Sequence, residues 1–253
     1  MTARGGAGAI VVVAVMFCTA AGPAVATNVE VDLALVLALD SSASVDAEEF
    51  ALQRGGLAAA FRDREVVEAI AAGPLRRIAV TVMEWAGAVQ QVVSVEWVVV
   101  ADSTGALELA DRIDALDRAI PTGATSIAGA LIFGNALLRT APFDATRRVI
   151  DLSGDGRNNQ GQNVEDVRRL VVAHGVTING LAILNEHPTL NHYFQDRVIG
   201  GPGAFVEIAE DYSAYVGAIR RKLIREIRSL TVSDATPPPE SRVQLVAALP
   251  PGL

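Results

Sequence analysis

Val31-Asp32-Leu33-Ala34-Leu35-Val36-Leu37-Ala38-Leu39-Asp40-Ser41-Ser42-Ala43-Ser44 is the stretch that decides how the chain is read. From Leu33 to Asp40 every residue but the last is apolar, with no 3.6-residue stripe and no turn signal. That pattern suits a strand buried on both faces of a parallel sheet. Asp40 ends the run abruptly, and steps of two place Asp40, Ser42 and Ser44 on one side of an extended segment at the strand's carboxyl end. In open α/β sheets, ligands bind at that edge.

Working outward, residues 45–62 read as a helix with Asp46, Glu48 and Glu49 in its first turn, where the helix dipole favours acid, although Gly55-Gly56 weakens it. A second helical piece, 65–71, stops at Gly73-Pro74. Segments 77–85 and 90–100 are rich in Val, Ile, Thr and Trp and read as a strand pair joined through Ala86-Gly87-Ala88, one of them at a sheet edge. Residues 107–120 form an amphipathic helix with Leu107, Ala110, Ile113 and Leu116 on its apolar stripe, ended by Pro121. An apolar helix over 127–138 and a buried strand over 148–152 follow, the strand again delivering an acid, Asp155, to its end. A helix (164–173), a strand (176–184), a short helix (190–198), a strand (204–208) and a closing helix (212–228) complete the alternation. The fold expected is α/β: a doubly wound, mainly parallel sheet with helices on both faces and one antiparallel edge strand.

The chain has 253 residues, enough for one large domain, placed at 27–230. Residues 5–22 are an apolar, small-residue run preceded by Arg4 and followed by Ala24-Val25-Ala26, so 1–26 reads as a signal peptide cut after Ala26. Gly5, Gly6, Gly8 and Gly22-Pro23 leave too short an uninterrupted run for a transmembrane anchor, so no stable span is expected after cleavage. The mature protein is expected to be periplasmic or secreted. Cys18, the one cysteine, lies inside the leader, which leaves no disulfide for the mature chain. A formal charge of -8 and no basic run beyond Arg220-Arg221-Lys222 argue against nucleic acid as a partner. Lys222, the one lysine in the chain, is read as part of that helix face. Residues 231–253, with Pro237-Pro238-Pro239 and Pro250-Pro251, read as a flexible tail.

Three separated segments set oxygen ligands at loop ends: Asp40-Ser41-Ser42-Ala43-Ser44, the Gly123-Ala124-Thr125 loop, and Gly154-Asp155-Gly156. Singly, each has an ordinary structural reading, Ser42 and Ser44 as helix caps and Asp155 as a turn residue. Taken together and in order, they resemble the metal-ion-dependent adhesion site (MIDAS) of von Willebrand factor type A (vWA) domains, a Rossmann-like family. The pattern there is Asp-x-Ser-x-Ser after the first strand, a Thr in a Gly-containing loop before a helix, and Asp-Gly after the fourth strand. The resemblance implies Asp40, Ser42, Ser44, Thr125 and Asp155 as metal ligands, with Asn158 and Asn159 on a partner-binding rim. It implies Mg2+ as cofactor, with Mn2+ or Ca2+ as alternatives, and a protein partner that offers a Glu or Asp carboxylate to the metal. Trp85-Ala86-Gly87, Trp97, the stretch 198–205 and the closing helix narrow the likeness to an uncharacterised exported bacterial subfamily, domain of unknown function 1194.

The chemistry of the residues suits a hard cation. Magnesium takes about six oxygens and keeps some waters, so hydroxyls and two carboxylates hold it without a closed cage. Two carboxylates roughly neutralise a divalent ion, and such a site still attracts an incoming anionic oxygen. The reading is therefore a metal-dependent protein-binding module without catalysis. Two alternatives are a magnesium-dependent phosphatase of the haloacid-dehalogenase type and a scaffold with a purely structural metal. Against the phosphatase, the acid expected two residues after the nucleophile is Ser42, and the one lysine lies far downstream. No Gly-x-Ser-x-Gly elbow is present for a serine hydrolase, and His174, His187 and His192 are read as surface residues.

Overall fold

The structure, a computed structural model, describes residues 28–228. The expected leader and Pro-rich tail lie outside the described residues. The elements run β1 (Val29–Asp40), α1 (Ala47–Arg62), α2 (Arg64–Ala71), β2 (Ile78–Trp85), β3 (Gln91–Val100), α3 (Ser103–Asp114) and α4 (Ile127–Thr140). Then come β4 (Phe143–Gly154), α5 (Val164–Ala173), β5 (Val176–Ile183), α6 (Leu190–Tyr193) with a π-helical turn over Phe194–Val198, β6 (Val206–Ala209) and α7 (Tyr215–Arg228). The sheet order is β3-β2-β1-β4-β5-β6, with β3 antiparallel at one edge and the remaining pairings parallel. This is the expected vWA-like α/β arrangement.

β1 sits centrally, between β2 and β4, and its side chains alternate in size between the two faces. Leu33, Leu35, Leu37 and Leu39 pack with α1, α2, α3 and α7; Ala34, Val36 and Ala38 pack with α4, α5 and α6. Each fully buried Leu contributes roughly 2 kcal/mol of transfer free energy. Small residues on the second face let α4 approach closely, and a side chain at Gly134 would press on Ile150 at 3.2 Å. Gly56 has a similar reason to be in α1: a Cβ there would lie 2.8 Å from the Tyr215 ring of α7.

α1 starts where Asp46 caps it. The Asp46 carboxylate accepts from the Glu48 and Glu49 amides, and Glu49 accepts the Asp46 amide in return, a reciprocal capping box. The helix expected over 107–120 is displaced: α3 begins earlier, capped by Asp102, and ends at Asp114. Its buried stripe is Ala106, Leu109, Ala110 and Ile113, while Leu107 is 48 % exposed. Residues 115–126 form an irregular segment because its groups are claimed by the sheet edge. The buried Glu84 carboxylate accepts from the Ala119 and Ile120 amides, and Arg118 reaches across to the carbonyls of Ser41, Ser42 and Val45.

Lys222 departs from the reading as one residue of a basic helix face. It is wholly buried, with Nζ 2.6 Å from Asp151 Oδ1 of β4 and 2.6 Å from Glu226 Oε1 one turn along α7.

Candidate metal site at the carboxyl edge of the sheet

Three loops meet where β1 and β4 end. The first, after β1, holds Asp40, fully buried, whose Oδ1 accepts the Ser42 amide at 2.8 Å. Ser42 Oγ lies 3.2 Å from Ser44 Oγ, and Ser44 Oγ donates to Asp155 Oδ1 at 2.8 Å, joining the first loop to the third. The second loop is tied to the first by the Ala43 amide donating to the Gly123 carbonyl (2.9 Å). Between the second and third loops there is a two-way clasp: the Thr125 amide donates to Asn159 Oδ1 and the Asn159 amide to the Thr125 carbonyl, both at 2.9 Å.

All five ligand candidates therefore fall in one place. Asp40, Ser42, Thr125 and Asp155 are buried, Ser44 partly so. Ser44 and Thr125 line a cleft of about 260 Å³ with Gly123, Gly156, Arg157 and Asn159, and Glu186 and His187 complete its wall. Asn158 and Asn159, expected on the rim, both brace the second loop: Asn159 holds Thr125, and Asn158 Oδ1 accepts the Ala128 amide in the first turn of α4.

The electrostatics are unbalanced in a specific way. Asp40 Oδ2 is buried and has no hydrogen-bond partner among the described residues. Burial first, then the negative charge of Asp155, push the Asp40 carboxyl up to about 7; the Ser42 hydroxyl and the Ser42 and Asp155 amides pull against that rise. Beneath it, Gly154 leaves room for this packing: a Cβ would lie 3.0 Å from Asp40 Oδ2 and 3.2 Å from the buried Trp85 ring, so both would have to shift. An unpaired carboxylate oxygen beside a second acid in an apolar cradle is costly unless a cation or a proton neutralises it. The donor set is oxygen only, two carboxylates and three hydroxyls. That set fits a hard divalent cation and not a thiolate- or imidazole-seeking one.

Several supporting residues left no mark in the sequence. Tyr212, just before α7, donates its hydroxyl to Asp155 Oδ2 at 3.0 Å. Glu84 also accepts from Ser41 Oγ (3.1 Å) and Ser94 Oγ (3.0 Å), and Gln53 of α1 donates to the Asp40 carbonyl (3.1 Å). Each is a single residue far along the chain from the loop it holds, with no spacing rule to reveal it. Lys222 is not among the residues lining the cleft.

Residues 30–231 match the family described as "Protein of unknown function (DUF1194)". Among solved structures, the pilus adhesin SpaC from Lactobacillus rhamnosus GG is similar at a TM-score of 0.55 and 13 % identity, covering 80 % of this chain and 31 % of that one. Proximal thread matrix protein 1 (PTMP1) from the mussel byssus, in a structure with a zinc-occupied MIDAS motif, gives 0.52 and 13 %, covering 80 % and 48 %. A von Willebrand factor type A protein from Catenulispora acidiphila gives 0.52 and 15 %, covering 78 % and 43 %. This chain spans less than half the length of each of them. At such identities the likeness establishes the vWA fold. No curated protein matches by sequence.

Proposed function

The chain belongs to the DUF1194 family, and from that premise and the geometry of the three loops we propose that it is an exported, divalent-cation-dependent protein-binding module. Asp40, Ser42, Ser44, Thr125 and Asp155 hold the cation, with Mg2+ the first choice and Mn2+ or Ca2+ accepted by the same oxygens. A cation held by these oxygens would supply a Lewis-acidic coordination position. A Glu or Asp carboxylate from the partner fills that position, and Asn158 and Asn159 keep the Thr125 loop in place for it. The observation that carries the reading is the buried, unpartnered Asp40 Oδ2 beside Asp155.

Binding without catalysis is favoured over phosphoryl transfer by the surroundings of the acids. The residue two after Asp40 is Ser42, which cannot act as a general acid, and the one lysine is engaged with Asp151 and Glu226 inside the fold. Export, with a mature chain starting at Thr27, is part of the same reading. The test is a pull-down with the full chain from its native envelope fraction, run once with magnesium and once with chelator. Partners retained only with magnesium support the reading; an identical set under both conditions replaces it with a scaffold whose metal is structural.

A further inference from the structure

Lys222, Asp151 and Glu226 form a closed group under the sheet, with 0 %, 1 % and 0 % of their side chains exposed. Lys222 Nζ lies 2.6 Å from Asp151 Oδ1 and 2.6 Å from Glu226 Oε1. Asn179 Nδ2 also donates to Glu226 Oε1 (2.9 Å), while its own oxygen accepts the Phe205 amide (3.0 Å). The Phe205 ring lies 5.5 Å from Nζ, and Arg147 donates to the Glu226 backbone carbonyl, not to its carboxylate. One ammonium thus faces two acids, and Asp151 Oδ2 and Glu226 Oε2 have no hydrogen-bond partner among the described residues.

We propose that Lys222 and Asp151 condense into an intramolecular amide that staples α7 to β4, with Glu226 as the proton relay. The reaction draws on the neutral pairing of amine and carboxylic acid, which burial in an apolar interior favours relative to separated charges. Burial, then the charge of Glu226, push the Asp151 carboxyl well above the usual carboxylate range against the opposing pull of Lys222, which favours its protonated, electrophilic form. The Nζ lone pair attacks Asp151 Cγ. Glu226 takes the proton released from Nζ and returns it to the departing Asp151 hydroxyl. One C–N bond forms, one C–O bond breaks, and one water leaves; no oxidant or other reactant is consumed. A nucleophile, an electrophile and a relay already in contact on a strand and a helix need little further ordering. The staple also suits a chain whose one cysteine rules out an internal disulfide.

Peptide mapping of the full-length chain, denatured and digested with trypsin, tests this. The cross-linked protein yields a branched peptide joining residues 149–157 to 222–225, the latter uncut because acylated Lys222 is no longer a cleavage site, and lighter by one water than the two uncut segments together because the amide forms with loss of water. Lys222→Arg abolishes that species, and Glu226→Gln, which keeps the side chain's shape but cannot relay a proton, abolishes it too. Free linear peptides in the wild type overturn the proposal. So does a water loss confined to residues 149–157 alone, as from imide closure at Asp155-Gly156. Cross-linking undiminished in Glu226→Gln overturns the relay.

Discussion

Tyr212 holds Asp155: its hydroxyl donates to Oδ2 at 3.0 Å while Ser44 Oγ serves Oδ1 at 2.8 Å, so the loop leading into α7 and the loop leaving β1 grip the same carboxylate. Nothing else in the described hydrogen bonds engages those two oxygens. A hydrogen bond to a charged group is worth about 1.5 to 3 kcal/mol, and leaving the acceptor buried and unpaired costs a similar amount. Tyr212→Phe removes one donor and keeps the ring in its buried seat. The expected result is a stability loss of about 2 kcal/mol in urea titration. An unchanged midpoint would show that the bond is dispensable.

Thr125→Ala separates the site from the fold. The clasp to Asn159 runs through the Thr125 backbone, so it survives the substitution, and only the hydroxyl is lost. Stability without cation is expected to stay within about 0.5 kcal/mol of wild type. Affinity for a partner, measured in magnesium, should fall by about tenfold, equivalent to roughly 1.4 kcal/mol. Equal partner affinity in wild type and variant would remove Thr125 from the ligand set.

Acidity should act on the site with a definite sign. The Asp40 carboxyl is pushed up to about 7 in the fold from 3.8. Between those values the native protein holds a proton that the unfolded chain has released, so stability without cation falls as pH rises through that interval and levels off above it. Each unit of such a shift is worth at most about 1.4 kcal/mol. Cation and proton compete for the same oxygens, so magnesium affinity should rise over the same interval. Urea titrations in chelator at successive pH values check the first trend, and Asp40→Asn should flatten it. A stability curve that climbs with pH between 4 and 7 in the wild type but not in Asp40→Asn would contradict the assignment.

The start of α1 fixes how the Asp40 loop leaves the sheet. The Asp46 carboxylate accepts two cap bonds, from the Glu48 and Glu49 amides, and the Asp46 amide donates to Glu49 Oε2. Asp46→Ala should cost about 1 kcal/mol. A thermal melt that matches wild type would mean that Arg118, which holds the Ser41, Ser42 and Val45 carbonyls, and the other bonds to the loop position it without the cap.

β1 was legible because the alternation of Leu with Ala and Val is unbroken from Leu33 to Leu39, and burial on both faces leaves little choice of structure. That the five candidate ligands come together was legible for a different reason: each follows a strand or precedes a helix, where the fold brings loop ends together. α3 was misplaced because Leu107 and Leu116 suggested a stripe that Ala106 and Leu109 in fact supply, and because Pro121 looked like a stop signal. The true end depends on Glu84 and Arg118, which draw residues 115–126 against the sheet edge through contacts distant in sequence. Lys222 was read as part of a basic helix face because it follows Arg220-Arg221; its burial follows from Asp151 and Glu226, one of which lies in another element.

The central claim is that Asp40 and Asp155 share a divalent cation with the three hydroxyls. Isothermal titration of Mg2+ into the chelator-stripped wild-type protein at pH 7.5, beside Asp40→Asn under the same conditions, measures it most directly. The account predicts saturable binding of one cation to the wild type and none to Asp40→Asn. No saturable binding to the wild type, or equal binding to both proteins, would contradict it.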